Sequence, residues 1–170
     1  MRWHLLDAIT EIVPGRSAAG LSTTSLPDEL FDDHFPTFRI TPGVLLVEMG
    51  AQLSGRLLQA TILEQRGFWA FPVLTMIYDV KFRDFVAPNE RLRVETEIEE
   101  MRPESMMFKT RLLHPDDPRK RYATGRVVFA FDPQGRPYHG DRESLENHGR
   151  SEFARLGSPW TPDACHSTGK

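Results

Sequence analysis

Thr41-Pro42-Gly43-Val44-Leu45-Leu46-Val47-Glu48-Met49-Gly50-Ala51-Gln52-Leu53-Ser54-Gly55-Arg56-Leu57-Leu58 is the stretch on which the fold turns. From Val44 to Leu58 it is apolar except for Glu48, Gln52, Ser54 and Arg56. Thr41 is suited to cap a helix whose first position is Pro42, because the N–H that proline lacks has no intrahelical partner there. Gly67 is the natural stop, so the helix is expected to run to about Gln65. At 1.5 Å per residue that is roughly 35 Å, enough to lie along a whole sheet. The polar interruptions leave the run short of the ~20 apolar residues that cross a bilayer, so it reads as a buried helix.

A carboxylate inside such a helix needs an explanation. Burying an unpaired carboxylate costs several kcal/mol or more, so Glu48 calls for a hydrogen-bond partner, a raised pKa, or both. A carboxyl group under those conditions is useful as an acid at neutral pH. Gln52 lies four residues on, the next position along the same helical face, where its amide can hold the Glu48 carboxyl. Just upstream, His34-Phe35-Pro36 sets an imidazole in a turn bracketed by Pro36 and Pro42.

Strand signals surround the helix. Trp3 to Val13 reads as strand or helix, turned by Pro14-Gly15, and Ser17 to Thr24 reads as a strand. The acidic stretch from Leu26 to Phe35 reads as a loop or short helix. Beyond Gly67, Val73 to Phe82 is rich in β-branched and aromatic residues. Leu92, Val94, Thr96 and Ile98 alternate with Arg93, Glu95 and Glu97, the pattern of a half-exposed antiparallel strand. Met106 to Leu113 and Tyr122 to Phe131 follow, separated by a charged turn from His114 to Arg121. One long apolar helix can cover one face of such a sheet, which predicts an α+β domain.

A chain of 170 residues is one domain of ordinary size. Beyond Asp132 the composition shifts to Pro, Gly, His and charge, dividing a body, residues 1–132, from a polar Pro/Gly-rich C-terminal extension, residues 133–170. Leu145, Phe153, Leu156 and Trp160 would let part of that extension dock on the body. A net charge of −3 with both signs interspersed offers no basic field for nucleic acid and no polybasic stripe for a membrane. The single cysteine, Cys165, excludes a disulfide framework and suits a reducing, cytoplasmic setting. The N-terminus lacks the pattern of a secretory signal. His4, His114, His139, His148 and His166 show no metal-ligand spacing, and no metal or other cofactor is expected.

The string His34-Phe35-Pro36, Ile40, Pro42-Gly43-Val44-Leu45, Glu48, Ala51-Gln52 resembles the active-site signature of 3-hydroxyacyl-acyl-carrier-protein dehydratases of the FabZ/FabA type. The spacing of 14 positions from His34 to Glu48 is similar to that family's. Val80-Lys81-Phe82-Arg83 with Pro88 and Leu92 resembles its next segment, and the likeness covers roughly residues 5 to 131. It implies a hotdog fold, a curved antiparallel sheet wrapped around a long central helix, with residues 1–132 as the dehydratase domain. It implies that His34 removes the C2 proton of a 3-hydroxyacyl thioester and that Glu48 protonates the departing 3-hydroxyl. The Ile40 carbonyl would fix the His34 ring, and the Gly43 N–H would meet the thioester carbonyl, with Gln52 beside Glu48. Histidine and carboxylate would come from different subunits of a homodimer or a higher assembly of dimers. The partner would be an acyl carrier protein bearing phosphopantetheine-linked substrate. Glutamate at position 48 resembles the FabZ branch, implying dehydration to the trans-2-enoyl product without isomerisation, in fatty-acid or specialised lipid or polyketide synthesis.

Some positions depart from the family's pattern. Thr37 stands where glycine is usual, Arg39 where a second proline is usual, and Ala8 where arginine is common. If position 37 requires positive φ, a β-branched residue there would be strained. Lys81, Arg83, Arg119, Lys120 and Arg121 are candidates for a basic rim that would speed encounter with an acidic carrier. Phe68, Trp69 and Phe71 are candidates for packing or for gating an acyl chain, while Met49, Leu53, Leu57 and Ile62 read as core. Two other classes fit the same residues: a hotdog acyl thioesterase, and a non-catalytic acyl-carrier-binding subunit.

Overall fold

The computed structural model describes residues 4–24, 27, 31, 34–137 and 140–163. The described strands are β1 (Ala8–Val13), β2 (Ser17–Thr23), β3 (Val73–Phe82), β4 (Arg91–Met101), β5 (Ser105–His114) and β6 (Asp117–Ala130). The long helix α1 spans Gly43–Arg66, and α2 spans Arg142–Arg155. The strands form a six-stranded antiparallel sheet in the order β1-β2-β4-β5-β6-β3. Helix α1 touches every strand of it. This is the α+β hotdog arrangement, a curved sheet wrapped around one helix.

The packing follows from the pattern of the helix. Met49, Leu53, Leu57, Leu58 and Ile62 are fully buried against Leu92, Val94, Phe108, Tyr122 and Val127 of the sheet. Each large apolar side chain so buried contributes about 1.5–3 kcal/mol before chain entropy is set against it. Gly50 lets the helix settle closely on β5, because a Cβ there would lie 3.0 Å from Cβ of Thr110. Gly67 ends the helix as expected, in the left-handed region at φ 74°, with its N–H donating to Leu63 O at 3.0 Å.

Two local expectations are corrected. Pro42, rather than Thr41, occupies the N-cap, and no side chain caps the helix. Thr41 instead ties the loop to the β3–β4 connection. Its N–H donates to Val86 O at 2.8 Å and its hydroxyl to Ala87 O at 3.5 Å. The turn expected over 114–121 is also much shorter, since β6 begins at Asp117 and pairs with β5 from His114 onward. The charges from Asp117 to Arg121 ride on a strand end that is mostly open to water, where alternation gives no burial signal.

Helix α2 packs on the body. Asp141 caps it, its carboxylate accepting from Ser144 N at 2.7 Å. Phe153, Leu156 and Trp160 join the same hydrophobic cluster as α1, with Trp69 against Phe153. Leu156 O also accepts the Ile9 N–H at 2.9 Å, which covers part of the β1 edge of the sheet. The opposite edge, β3, exposes Met76 (58%), Ile77 (50%) and Phe82 (54%).

Candidate active site

The loop before α1 closes on itself. Phe35 and Phe38 exchange main-chain hydrogen bonds at 3.2 and 3.0 Å, and the Ile40 N–H donates to His34 O at 3.2 Å. His34 thereby lies at the base of a tight turn next to the helix start. Its ring stacks on Phe35 with centroids 4.7 Å apart. The ring Nδ1 is buried and has no hydrogen-bond partner among the described residues. Nδ1 therefore makes no bond to the Ile40 carbonyl here, and it is the main chains that join the two residues. Thr37 does not adopt the positive φ that would strain it. The non-glycine residues with positive φ among the described residues are Asp79 and Asn89.

Gly43 is the first residue of α1, where main-chain N–H groups lack intrahelical acceptors and the helix dipole is positive. The space a side chain would fill is taken by the Phe82 ring, with Cζ 2.7 Å from an ideal Cβ. Phe82 comes from the far end of β3 and half of it is exposed, so its ring packs against the glycine from another element. No local signal in the sequence pairs residues 43 and 82.

One turn and a half further along, Glu48 is half-buried rather than buried. It lies in a groove of about 200 Å³ lined by Ala51, Gln52, Gly55, Pro72, Leu74 and Phe129, and this opening explains its exposure. Gln52 Nε2 donates to Glu48 Oε1 at 3.0 Å, and Gln52 Oε1 accepts the Leu5 N–H at 3.0 Å. One amide thus joins the acid to the segment preceding β1. The role of Leu5 was not legible in the sequence. His34 is not among the residues lining the Glu48 groove of its own chain. Around the loop, Phe35, Phe38, Val44 and Phe85 are exposed, with Phe38 edge-on to Phe85 at 5.5 Å.

The other aromatic and basic candidates divide by location. Trp69 is buried under α2, Phe68 is half-buried beside Gly135, and Phe71 is exposed. Lys81, Arg83, Arg119, Lys120 and Arg121 are exposed where the end of β3 meets the start of β6, Lys120 lying 4.0 Å from Asp84. Tyr122 beside them donates to Glu90. Burial first, then that bond, raises its pKa above the ordinary tyrosine value. The stretch from Leu26 to Phe35, expected as a loop or short helix, lies largely outside the described residues, as does Cys165. No helix among the described residues is long and apolar enough to cross a membrane.

Comparison with known proteins adds an independent line. A family model described as FabA-like domain matches residues 1–118. The chain is 39% identical over 98 residues to a 3-hydroxyacyl-acyl-carrier-protein dehydratase FabZ of Roseiflexus castenholzii, covering 58% of this chain and 66% of that relative. It is 36% identical over 98 residues to a FabZ of Ligilactobacillus salivarius, covering 58% and 68%. The chain thus spans about two thirds of the length of the curated relatives it matches. Among solved structures, a chain of the dehydratase heterocomplex ApeI:P from Xenorhabdus doucetiae aligns with a TM-score of 0.63 at 16% identity, covering 85% of this chain and 90% of that one. A hypothetical thioesterase protein with coenzyme A from Streptococcus pneumoniae aligns with a TM-score of 0.55 at 8% identity, covering 73% and 84%. At such identities the alignments speak for the fold alone, and one fold hosting two chemistries leaves the reaction to be argued from the site. With a six-stranded sheet around α1 and a family match over residues 1–118, the chain belongs to the FabA-like domain family.

Proposed function

We propose that this protein dehydrates 3-hydroxyacyl chains carried on acyl carrier protein to the trans-2-enoyl products. The observation that carries the reading is Glu48, held by Gln52 in a groove walled by Pro72, Leu74 and Phe129 that opens from the same helix whose first amide is that of Gly43. In the proposed reaction His34 takes the proton from C2. Charge then develops on the thioester oxygen, where the free N–H at the start of α1 supports it. Glu48 gives its proton to the 3-hydroxyl as the C3–O bond breaks, so that a C2–C3 double bond and water result. Proton transfer from the His34 imidazolium back to Glu48 restores both groups, and neither metal nor redox cofactor is required. The FabZ relatives, whose names state this activity, support the assignment.

The proposed unit is a homodimer in which each site takes His34 from one protomer and Glu48 from the other. Three features support it. His34 is absent from the Glu48 groove of its own chain, its Nδ1 lacks a partner among the described residues, and the β3 edge exposes Met76, Ile77 and Phe82. An unpaired apolar edge is a template for strand pairing with a second copy. In this reading residues 1–132 form the catalytic domain and residues 133–170 an extension whose helix α2 packs on it. The exposed cations at positions 81, 83, 119, 120 and 121 form the docking rim for an acidic carrier bearing phosphopantetheine. The setting is cytoplasmic.

Incubation with carrier-loaded 3-hydroxybutanoyl substrate should yield enoyl thioester, seen by its absorbance and mass. Release of free thiol would assign a thioesterase instead. His34→Ala and Glu48→Gln should each nearly abolish turnover while light scattering still reports a dimer. Near-normal rates in either variant would refute the roles.

A further inference from the structure

The groove that holds Glu48 ends at a surplus of positive charge. Along α1 its lining follows Glu48, Ala51, Gln52, Gly55 and Arg56, spacings of three and four residues that keep to one helical face. A Cβ on Gly55 would lie 3.6 Å from Pro72 Cγ and 4.0 Å from Phe129 Cζ, so glycine keeps the lane open where a larger side chain would fill it. Eight residues separate Glu48 from Arg56, about 12 Å along the helix axis. An extended backbone covers about 3.4 Å in three bonds, so the same distance is roughly ten bonds of an extended acyl chain.

A lane built for a plain alkyl chain has no use for a cation at its end, because a guanidinium among apolar groups forfeits hydration. Here Arg56 is half-buried, its Nη1 donating to Gln59 Oε1 at 2.7 Å. Its Nη2 lies 3.7 Å from Glu152 Oε2, beyond hydrogen-bond distance. The hydrogen bonds of Glu152 go instead to Arg155, at 3.2 Å from Nε and 3.0 Å from Nη2, and His4 Nδ1 stands 3.8 Å away. One buried carboxylate therefore faces two guanidinium groups, and Arg56 is the one that lines the groove. A guanidinium with N–H donors to spare is matched by a carboxylate, which it can grip through two parallel bonds.

We infer that Arg56 reads the far end of the substrate, and that the protein prefers 3-hydroxyacyl chains of medium length ending in a carboxylate. Glu152, carried on α2, acts as a positioning residue that holds the guanidinium at the end of the lane. This deepens the proposed dehydration and rests on it. The distal carboxylate does not take part in the reaction. It fixes how far the chain enters, and so sets C2 and C3 against the reacting groups.

The test compares carrier-loaded 3-hydroxydodecanedioyl and 3-hydroxydodecanoyl substrates by kcat/KM, with equilibrium binding of the corresponding pantetheine thioesters measured by calorimetry. The wild-type dimer should favour the diacid chain at least tenfold in both measurements. Arg56→Met should erase or invert that ratio, and Arg56→Lys should keep much of it. A wild-type ratio at or below one would overturn the inference. So would an Arg56→Met protein in which both substrates decline together with the ratio intact, the signature of an arginine that only fastens α2. If no substrate is turned over, the dehydration reading fails. The calorimetric ratio and its response to Arg56→Met then still decide what Arg56 recognises.

Discussion

Replacing Gln52 with leucine keeps the volume and removes the hydrogen bonds by which its amide links Glu48 to the Leu5 N–H. The Leu5 N–H, on a residue only 5% exposed, loses the acceptor it has at 3.0 Å, and Glu48 Oε1 loses its donor at the same distance. An orphaned buried N–H costs about 1–3 kcal/mol, against which the lost bond to a half-buried carboxylate adds little. A loss of about 2 kcal/mol lowers the melting temperature of a chain this size by roughly 4–8 °C. Turnover should fall by about tenfold, since the acid is then held less firmly against the leaving hydroxyl. Thermal unfolding followed by circular dichroism and kcat/KM on a carrier-loaded substrate measure the two effects. Gln52→Glu separates them. It retains an acceptor for Leu5 but replaces the donor to Glu48 with a second carboxylate, so activity should drop further than in the leucine variant while stability drops less. A leucine variant with wild-type melting and wild-type turnover would refute the assigned role of this amide.

Mixing inactive His34→Ala and Glu48→Gln chains under exchange conditions should restore about a quarter of wild-type activity. Half the random dimers are then mixed, and each carries one intact site of two. Recovery near zero would mean that both groups act from one chain. Gly149→Ala drives a methyl into the buried Trp69 indole and should destabilise by about 1–3 kcal/mol, read as a lower melting temperature with early hydrogen exchange across α2. Unchanged exchange would show that α2 packs otherwise. Burial pushes the Glu152 carboxyl up, but the Arg155 hydrogen bond and the charges of Arg56, Arg155 and His4 outweigh it and hold its pKa below the usual glutamate range. A group depressed in the folded state contributes stability that is full above its unfolded value, near 4.3, and is lost as pH falls through the folded one. Acidification below about pH 4 should therefore loosen α2, followed by hydrogen exchange over Arg142–Arg155, and Glu152→Gln should weaken α2 at neutral pH and flatten the acid response. Identical acid profiles in the two proteins would contradict this.

Local periodicity determined what the sequence alone could determine. The 3.6-residue repeat that buries Met49, Leu53, Leu57 and Ile62, the twofold alternation of Leu92 to Ile98, and the left-handed stop at Gly67 each depend on near neighbours, and all are realised. The meeting of Gln52 with Glu48 is of the same kind, since positions i and i+4 adjoin on any helix. Tertiary structure decided whatever depends on chain segments far apart. Thr41 is drawn from its capping role by the carbonyls of Val86 and Ala87. Glu48 is half-open because Pro72, Leu74 and Phe129 stand off to form a groove. Phe82 covers Gly43 from another element, and Arg56 meets Glu152 only because α2 folds back over the body. Such contacts are set by how faces pack after the elements exist, and a one-dimensional pattern carries the faces but not their partners.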